Sequence, residues 1–254
     1  MAAEKRAARD YGDTMGALHA GAAADVLRSF GSAFGGHHIA IVGGLVPSLL
    51  VDAPPPGVPA HVGTSDVDLL VSLHLLDGET ADYYDAIIDG FHQLGLSAAS
   101  THNRAVRWRW EGRYRGIHLR VERVSRRVDT VRGQLTYPFP VAGPTSWLCL
   151  KSDAIALRDK PKDAYDVVWL VAALGPERVA ERVAASTLLA GEFGGEVRHQ
   201  LGLLVDDQFG SDASVGVRAY ADFLGSDGSP ADARYARSAM GVFGRALRDH
   251  DVLP

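Results

Sequence analysis

The stretch Ile41-Val42-Gly43-Gly44, followed after a gap by Thr64-Ser65-Asp66-Val67-Asp68-Leu69-Leu70-Val71, decides the fold. Its first part predicts a buried strand that ends in a tight glycine turn, and its second part predicts a strand that carries two carboxylates. Because successive side chains of a strand alternate between faces, Asp66 and Asp68 are expected on one face, about 7 Å apart. The apolar residues between and after them are then expected to face a core.

The two halves of this stretch suit a phosphate and a metal ion. At Gly43-Gly44 the backbone amides can approach an anion, and the helix expected over residues 45–51 would add a partial positive charge at its start. Paired carboxylates such as Asp66 and Asp68 are suited to holding Mg²⁺ against a phosphate chain. Two plainer interpretations stay open: a Gly-Gly pair after a strand is commonly only a turn, and paired acids on a sheet face are often simply solvated.

A third carboxylate would help to hold two metal ions. Glu122 is the best candidate, since it lies in Leu119-Arg120-Val121-Glu122, the next predicted strand that contains an acid. Asp129 is the second choice. The alternative is that Glu122 only pairs with neighbouring arginines.

A second cluster of charged residues lies downstream, at Lys151 and at Lys162-Asp163-Ala164-Tyr165-Asp166. Asp163 and Asp166 are three residues apart and therefore share one face of a predicted helix. A lysine can neutralise phosphate charge, and an aspartate can accept a proton from an attacking hydroxyl. The alternative is that Asp163 caps its helix and that Lys151 is a surface charge.

Arginine is concentrated between residues 104 and 132, which contain ten arginines and only three acids. Trp108, Trp110 and Tyr114 lie among them. Arginine with aromatic residues suits phosphate backbones and stacked bases, whereas the alternative is a solvated face of a hairpin.

The organisation predicted from periodicity is α+β, with an N-terminal mixed sheet and helices over 1–143 and a helical bundle over 144–254. The N-terminal part is expected to contain helices over 11–34 and 77–94, a proline-rich loop over 52–63, and a hairpin with arms at 106–110 and 117–124. The first C-terminal helix is expected at 145–158, with Thr145 or Ser146 as its cap. The others are expected at 162–174, from 177 to about 190, and at 195–207, 215–224 and 231–249.

Composition excludes several classes of protein. The chain has 254 residues, 46% of them hydrophobic and 22% charged, which is typical of a globular protein. Its net charge of −5 argues against a protein that coats nucleic acid along its whole surface. The single Cys149, expected in the core, excludes an intramolecular disulfide framework and suits a reducing compartment. With no apolar run of a signal peptide or of a membrane span, we expect a cytoplasmic protein without membrane contact.

Taken together, Val42-Gly43-Gly44, Thr64-x-Asp66-x-Asp68, and Lys151 with Lys162-Asp163-x-Tyr165-Asp166 resemble the nucleotidyltransferases of the DNA polymerase β superfamily. The last motif looks most like the AbiEii/AbiGii toxin branch. The resemblance covers roughly residues 37 to 174. It departs from the family at Gly44, where many relatives have serine, and in the long proline-rich gap before Asp66.

The resemblance implies specific roles for these residues. Gly43, Gly44, Thr64 and Lys151 would bind the nucleotide, and Asp66 and Asp68 would bind Mg²⁺. The catalytic residues would be Asp66, Asp68, Lys151 and Asp163, with Asp163 as a candidate base. Two Mg²⁺ ions, with Glu122 as the third carboxylate, and an NTP substrate are expected.

The expected reaction moves a nucleoside monophosphate from an NTP to an acceptor hydroxyl. RNA is the expected acceptor because of the arginine-rich segment, and the toxin branch suggests tRNA and an antitoxin protein as partners. A small-molecule acceptor, as in antibiotic-modifying relatives, and a catalytically inactive nucleotide- or RNA-binding module are the alternatives.

Overall fold

The computed structural model describes residues 7–11, 15–30, 39–64, 67–71, 100–101, 104–105, 121–130, 133–225 and 229–254. Several predicted features lie outside these residues: Asp66, the helix over 77–94, the hairpin arm at 106–110 with its turn, and most of the arginines between 104 and 132. The α+β class is confirmed, since the described residues combine a four-stranded mixed sheet with a majority of helices.

The sheet is built around the strand that precedes the glycine turn. Strand β1 (Ile39–Val42) pairs antiparallel with β2 (Asp68–Val71) on one side and parallel with the end of β6 (Gly133–Ala142) on the other. Strand β5 (Val121–Thr130) pairs antiparallel with β6 along its whole length, which gives the order β2-β1-β6-β5. The two short strands β3 (Ser100–Thr101) and β4 (Arg104–Ala105) form a separate pair. Apart from that pair, the strands position the glycine turn and Asp68 at one end of the sheet.

The hairpin of the described sheet is not the predicted one. Its arms are Val121–Thr130 and Gly133–Ala142, and among the described residues it shares 121–124 with the predicted hairpin. No strand was predicted over 133–142, because Pro138 and Pro140 argue against one. The two prolines are two residues apart, so their missing N–H groups lie on the same edge of β6. The other edge remains available to pair with β5.

Helices make up most of the remaining described chain. In the N-terminal part they are α1 (Met15–Phe30), a 3₁₀ turn (Gly43–Leu45) and α2 (Val46–Leu50), and a 3₁₀ turn also covers Ala8–Asp10. After the sheet come α3 (Pro144–Leu157), α4 (Pro161–Leu174), α5 (Pro176–Ala184), α6 (Thr187–Ala190), α7 (Gly194–Gly202), a π-helical segment (Leu203–Gln208), α8 (Val215–Leu224) and α9 (Pro230–Asp249). Five of them carry proline in the first turn, where a missing N–H costs nothing.

Two predicted helix boundaries differ from the structure. Helix α3 begins at Pro144 after Gly143, so Thr145 and Ser146 lie inside its first turn and do not cap it. The helix predicted to end near Ala190 is broken, because Ser186 accepts a hydrogen bond from the Leu188 N–H and starts a new helix. A side-chain oxygen at this position satisfies an amide that has no partner within the helix.

The core is continuous between the sheet and the helical part. One cluster of buried side chains extends from Ala20 in α1, through Ile41 and Phe139 of the sheet, to Leu253 at the C-terminus. A division into domains at 143/144 therefore stays a prediction. Cys149 belongs to this cluster, as predicted, and burial together with the Asp153 charge raises the pKa of its thiol to about 12. None of the helices in the described part of the chain is long and apolar enough to cross a membrane.

Candidate functional site

The glycine turn packs directly against the Asp68 carboxylate. Gly43 follows the end of β1 with φ +70°, and Val42 is paired with Asp68 in the sheet. A Cβ atom on Gly43 would lie only 2.7 Å from Asp68 Cγ, well inside van der Waals contact. The Trp147 indole of α3 donates a hydrogen bond to the Gly43 carbonyl at 2.9 Å and so ties the turn to this helix. Glycine is required here both for its backbone conformation and for the room it leaves beside the carboxylate.

A hydroxyl and an ammonium group crowd the second glycine. A Cβ atom on Gly44 would lie 2.9 Å from Thr64 Oγ1 and 3.0 Å from Lys162 Nζ. Thr64 is buried, and both it and Gly44 lie next to the core. The structure therefore brings together Gly43, Gly44, Thr64 and Asp68 of the predicted site, with Lys162 added to them.

Lys162 is the first residue of the motif Lys162-Asp163-x-Tyr165-Asp166, but no role for it was predicted from the sequence. Its ammonium donates to Asp166 Oδ1 at 2.6 Å and lies 5.6 Å from the centre of the Tyr11 ring. Burial lowers the pKa of Lys162, and the charge of Asp166 offsets this effect only in part. The Lys162 side chain is 12% exposed, which makes it less buried than that of Lys151 at 4%.

Lys151 lies deeper than Lys162. Its ammonium donates to Asp163 Oδ1 at 2.6 Å and to Asp166 Oδ2 at 2.8 Å, 5.5 Å from the centre of the Trp147 ring. Burial alone would lower the pKa of Lys151, but the charges of Asp166 and Asp163 together outweigh it and the pKa is raised. This buried cation joins α3 to α4. Its direct contact with a nucleotide stays a prediction.

Asp163 is held by two cations. Besides Lys151, the Arg158 guanidinium donates to both of its oxygens, at 2.7 and 2.8 Å. Burial would raise the pKa of Asp163, but the charge of Lys151 and the hydrogen bonds from Arg158 lower it overall. A general base works best with a pKa near the operating pH, so this arrangement makes Asp163 a weak proton acceptor. Its catalytic role stays a prediction.

Asp166 is the centre of the buried charge network. It accepts hydrogen bonds from Lys151, Lys162 and the His61 imidazole, whose Nε2 is 3.0 Å away. Burial would raise the pKa of Asp166, but the two lysines and His61 lower it far below the usual range of a carboxyl. Asp166 is therefore a permanent anion that fixes three donors from three parts of the chain.

His61 is neutral in this network. The Gly63 N–H donates to Nδ1 at 3.1 Å, so the proton of the ring lies on Nε2, which donates to Asp166. Burial lowers the pKa of His61, and this effect exceeds the opposing one of Asp166. The Ser48 hydroxyl lies 3.1 Å from Nδ1 on the same side. No sequence pattern identified His61, because its partner is more than a hundred residues away.

The proline-rich loop over 52–63 is anchored to α4 and forms a wall of the site. The Trp169 indole donates to the Pro59 carbonyl at 2.8 Å, and the Val62 N–H donates to the Tyr165 hydroxyl at 3.3 Å. The His61 ring packs edge-on against Trp169 at 4.7 Å between centroids. The proline-rich loop that fills most of the long gap after the glycine turn is thus a structured part of the site.

Among the described residues, the predicted metal-binding acids lie further apart than the residues that were predicted to bind phosphate. Asp68 is exposed beside the turn, whereas Asp66 lies outside the described residues. The backbone of Glu122 pairs with Val141, three strand spacings from β2, or about 14 Å. Asp129 lies seven residues further along β5, where it accepts a hydrogen bond from Gln134. Within the described ranges no group of three or more His, Cys, Asp or Glu side chains could hold a metal ion.

The fold and the site define an α+β protein in which a glycine turn, a carboxylate and a buried charge network meet at one end of a mixed sheet. Comparison with models of known families, with curated proteins and with solved structures finds no match. Oxygen ligands, backbone amides and a partly buried ammonium are the groups that bind a phosphate chain with a divalent cation.

Proposed function

We propose that this protein is a Mg²⁺-dependent nucleotidyltransferase that moves a nucleoside monophosphate from an NTP to an acceptor hydroxyl and releases pyrophosphate. The observation that carries the proposal is the packing of Gly43-Gly44 against Asp68, Thr64 and Lys162. Phosphate-binding and cation-binding groups from four separate parts of the chain meet at one turn.

The triphosphate is bound at the turn. The two glycines have no side chains to keep a phosphate away from the backbone, and the Thr64 hydroxyl and the Lys162 ammonium lie beside Gly44. Lys162 neutralises phosphate charge, and Asp166 keeps its ammonium at the turn. Lys151 supports this arrangement from the interior, because it fixes the opposite oxygen of Asp166.

The proposal assigns Mg²⁺ to the two carboxylates Asp66 and Asp68, which are two residues apart in the sequence as oxygen ligands of a metal ion can be. Asp68 presents an exposed carboxylate at the turn, and Asp66 precedes it by two residues in the sequence. When bound, Mg²⁺ would neutralise the charge of the phosphates and favour loss of pyrophosphate.

The reaction is an in-line displacement at the α-phosphorus. The acceptor oxygen forms a bond to phosphorus, the bond to the pyrophosphate oxygen breaks, and the acceptor proton passes to an exposed base. Asp163, the candidate base that the resemblance implies, suits that role poorly, because Lys151 and Arg158 occupy its oxygens. The resemblance to the toxin branch supports RNA, and tRNA in particular, as the acceptor; an antitoxin partner rests on that resemblance alone.

A catalytically inactive nucleotide-binding module is the second candidate. The observation that favours it is the burial of Lys151 and Asp163, both of which are engaged in ion pairs. A module of this kind would bind an NTP at the same turn without transferring it.

One experiment separates the two functions. The protein is incubated with each α-labelled NTP, Mg²⁺ and total tRNA, beside an Asp66→Ala/Asp68→Ala variant. A matched variant, Asp222→Ala/Asp249→Ala, removes two exposed carboxylates from helices outside the site. The expected result is label on RNA with the wild type and with the matched variant, and none with Asp66→Ala/Asp68→Ala.

The other outcomes are equally informative. Nucleotide binding without transfer to tRNA or to a set of small hydroxyl compounds would favour the module. Transfer that persists in the Asp66→Ala/Asp68→Ala variant would contradict the proposed metal site.

A further inference from the structure

A groove rich in arginine lies in the helical part of the chain, between α9 and the π-helical segment. Its cavity of about 650 Å³ is open to solvent and has Val205 and Phe209 in its floor. Its charged lining residues are Arg234, Arg237, Arg245, Arg248 and Asp206. The lining therefore contains four cations and one carboxylate, in a protein whose net charge is −5.

The four arginines form one stripe along α9. Their spacing of three, eight and three residues places them within a narrow sector of the helix, since each residue advances by about 100°. From Arg234 to Arg248 the stripe is about 21 Å long, at about 1.5 Å per residue. Gly241 lies at its centre, where the absence of a side chain leaves the groove open between the cations.

Two of the four arginines have no partner among the residues that the structure describes. Arg248 donates to both oxygens of Asp206 at 2.7 and 2.9 Å, and Arg237 lies 3.1 Å from Asp212. By contrast, Arg234 and Arg245 are exposed and form neither a hydrogen bond nor an ion pair with any residue that the structure describes. Their charges are available to an anion from outside.

We propose that this groove binds the phosphate backbone of a single RNA strand. The guanidinium fork matches two phosphate oxygens, and a row of such groups suits a polymer with a charge at every step. An acidic protein segment fits less well, because its carboxylates need not follow at a regular spacing, whereas RNA carries a phosphate at every nucleotide along the row of guanidinium groups.

The start of α9 connects the groove with the candidate site. The His61 and Tyr165 rings are 5.4 Å apart, Tyr165 and Tyr220 are 6.2 Å apart, and Tyr220 and Tyr235 are again 6.2 Å apart. Tyr235 adjoins Arg234, so the Arg234 end of the stripe is three ring contacts from His61. The ring contacts link the Arg234 end of a strand bound in the groove to His61 through the protein interior. That this strand is the acceptor rests on the proposed transferase function, whereas its binding does not.

The test measures binding of a fluorescent single-stranded RNA of about 20 nucleotides by anisotropy, between 0.05 and about 0.5 M salt and without NTP. The variant Arg234→Gln/Arg245→Gln removes the two unpaired cations. The matched variant Arg28→Gln/Arg178→Gln removes two exposed arginines from other helices. Each phosphate contact contributes about 0.7 to the slope of log affinity against log salt for single strands. The groove variant should therefore lose about 1.4 of the slope and bind roughly 25-fold more weakly at 0.1 M salt.

Three results would overturn this inference: an unchanged slope in the groove variant, an equal loss in the matched variant, or binding of poly-glutamate in place of RNA. A DNA strand of the same sequence that binds more tightly would overturn the assignment to RNA. Groove-dependent RNA binding without label transfer would leave the groove intact and count against the transferase. Label transfer to RNA with an unchanged KM in the groove variant would leave the transferase intact and count against the groove.

Discussion

Gly43 and Asp68 are packed so closely that a Cβ atom on the glycine would lie 2.8 Å from Cβ of the aspartate. The contact joins the two halves of the sequence stretch that decides the fold, because Val42, the residue before the glycine, pairs with Asp68 in the sheet. The turn and the carboxylate therefore form one structural unit, in which neither can be changed without effect on the other.

Substitution of Gly43 by alanine should lower the free energy of unfolding by more than the cost of its left-handed backbone conformation alone. Gly43→Ala combines a left-handed backbone, which costs about 1–2 kcal/mol, with a collision that adds about 1–3 kcal/mol. Gly57→Ala is the matched control, since Gly57 has φ +89° and open space where a Cβ would lie. The measurement is the free energy of unfolding in urea. Equal losses in the two variants would show that the turn tolerates a side chain beside Asp68.

The buried charge network should be far more sensitive than an exposed ion pair. Asp166→Asn leaves Lys151 and Lys162 with an incompletely compensated buried charge, and we expect a loss of about 3–5 kcal/mol in the free energy of unfolding. Asp212→Asn, which weakens the exposed pair with Arg237, should cost about 0–1 kcal/mol. Both changes can be measured by chemical denaturation at neutral pH. A loss below about 1 kcal/mol for Asp166→Asn would mean that the network does not hold the helices together.

The stability of the protein should depend on His61 below neutral pH. Burial, aided by the charges of Lys162 and Lys151, lowers the pKa of His61 below its usual 6.5 despite the opposing effect of Asp166. Below pH 6.5 the unfolded chain therefore binds a proton that the folded protein excludes, so this residue makes stability fall as the pH falls. The slope from one such group is at most about 1.4 kcal/mol per pH unit, down to the pKa of the folded state.

Two variants separate the effect of His61 on the pH dependence of stability from the effects of the other histidines. The free energy of unfolding is measured from pH 7.5 to 5 for the wild type, for His61→Gln and for His250→Gln, whose histidine is exposed near the C-terminus. His61→Gln should flatten the curve, and His250→Gln should leave its shape unchanged. Parallel curves for the wild type and His61→Gln would contradict the neutral, buried state of this imidazole.

Lys162 should contribute more to NTP binding than a lysine two residues away. Its ammonium lies beside Gly44, whereas Lys160 is exposed before the start of α4. Loss of a charged hydrogen bond to phosphate costs about 1.5–3 kcal/mol, so Lys162→Gln should weaken NTP binding by roughly 10- to 100-fold. Lys160→Gln should have little effect. Titration calorimetry measures both, and an equal Kd in the two variants would exclude Lys162 from the binding site.

The local structure around the turn could be predicted from the sequence for a physical reason. The alternation of apolar residues and the two glycines at 43 and 44 are local signals, and they predicted the strand, the turn and the following short helix. Helical periodicity likewise predicted the segments at 162–174 and 215–224 within one residue of their observed bounds. By contrast, strand β6 was not predicted, because it contains Pro138 and Pro140. A proline is tolerated in a strand only where no neighbouring strand requires a backbone N–H donor at that position. That condition depends on the partner strand and cannot be read locally.

The sequence by itself determined the α+β class, the glycine turn at the end of a buried strand, and the types of residue available for phosphate and metal binding. Only the tertiary structure decided which of them meet. It placed Lys162 at the turn and joined Lys151 to Asp166 in the interior. It also connected His61 of the proline-rich loop with Asp166, which is more than a hundred residues away in the sequence. Periodicity reports how a segment relates to its nearest neighbours, whereas a buried charge is placed by partners that the folded chain brings from far away. The candidate site is therefore a product of helix packing against the sheet, whereas the glycine turn and the strand that begins at Asp68 are parts of it that the sequence shows directly.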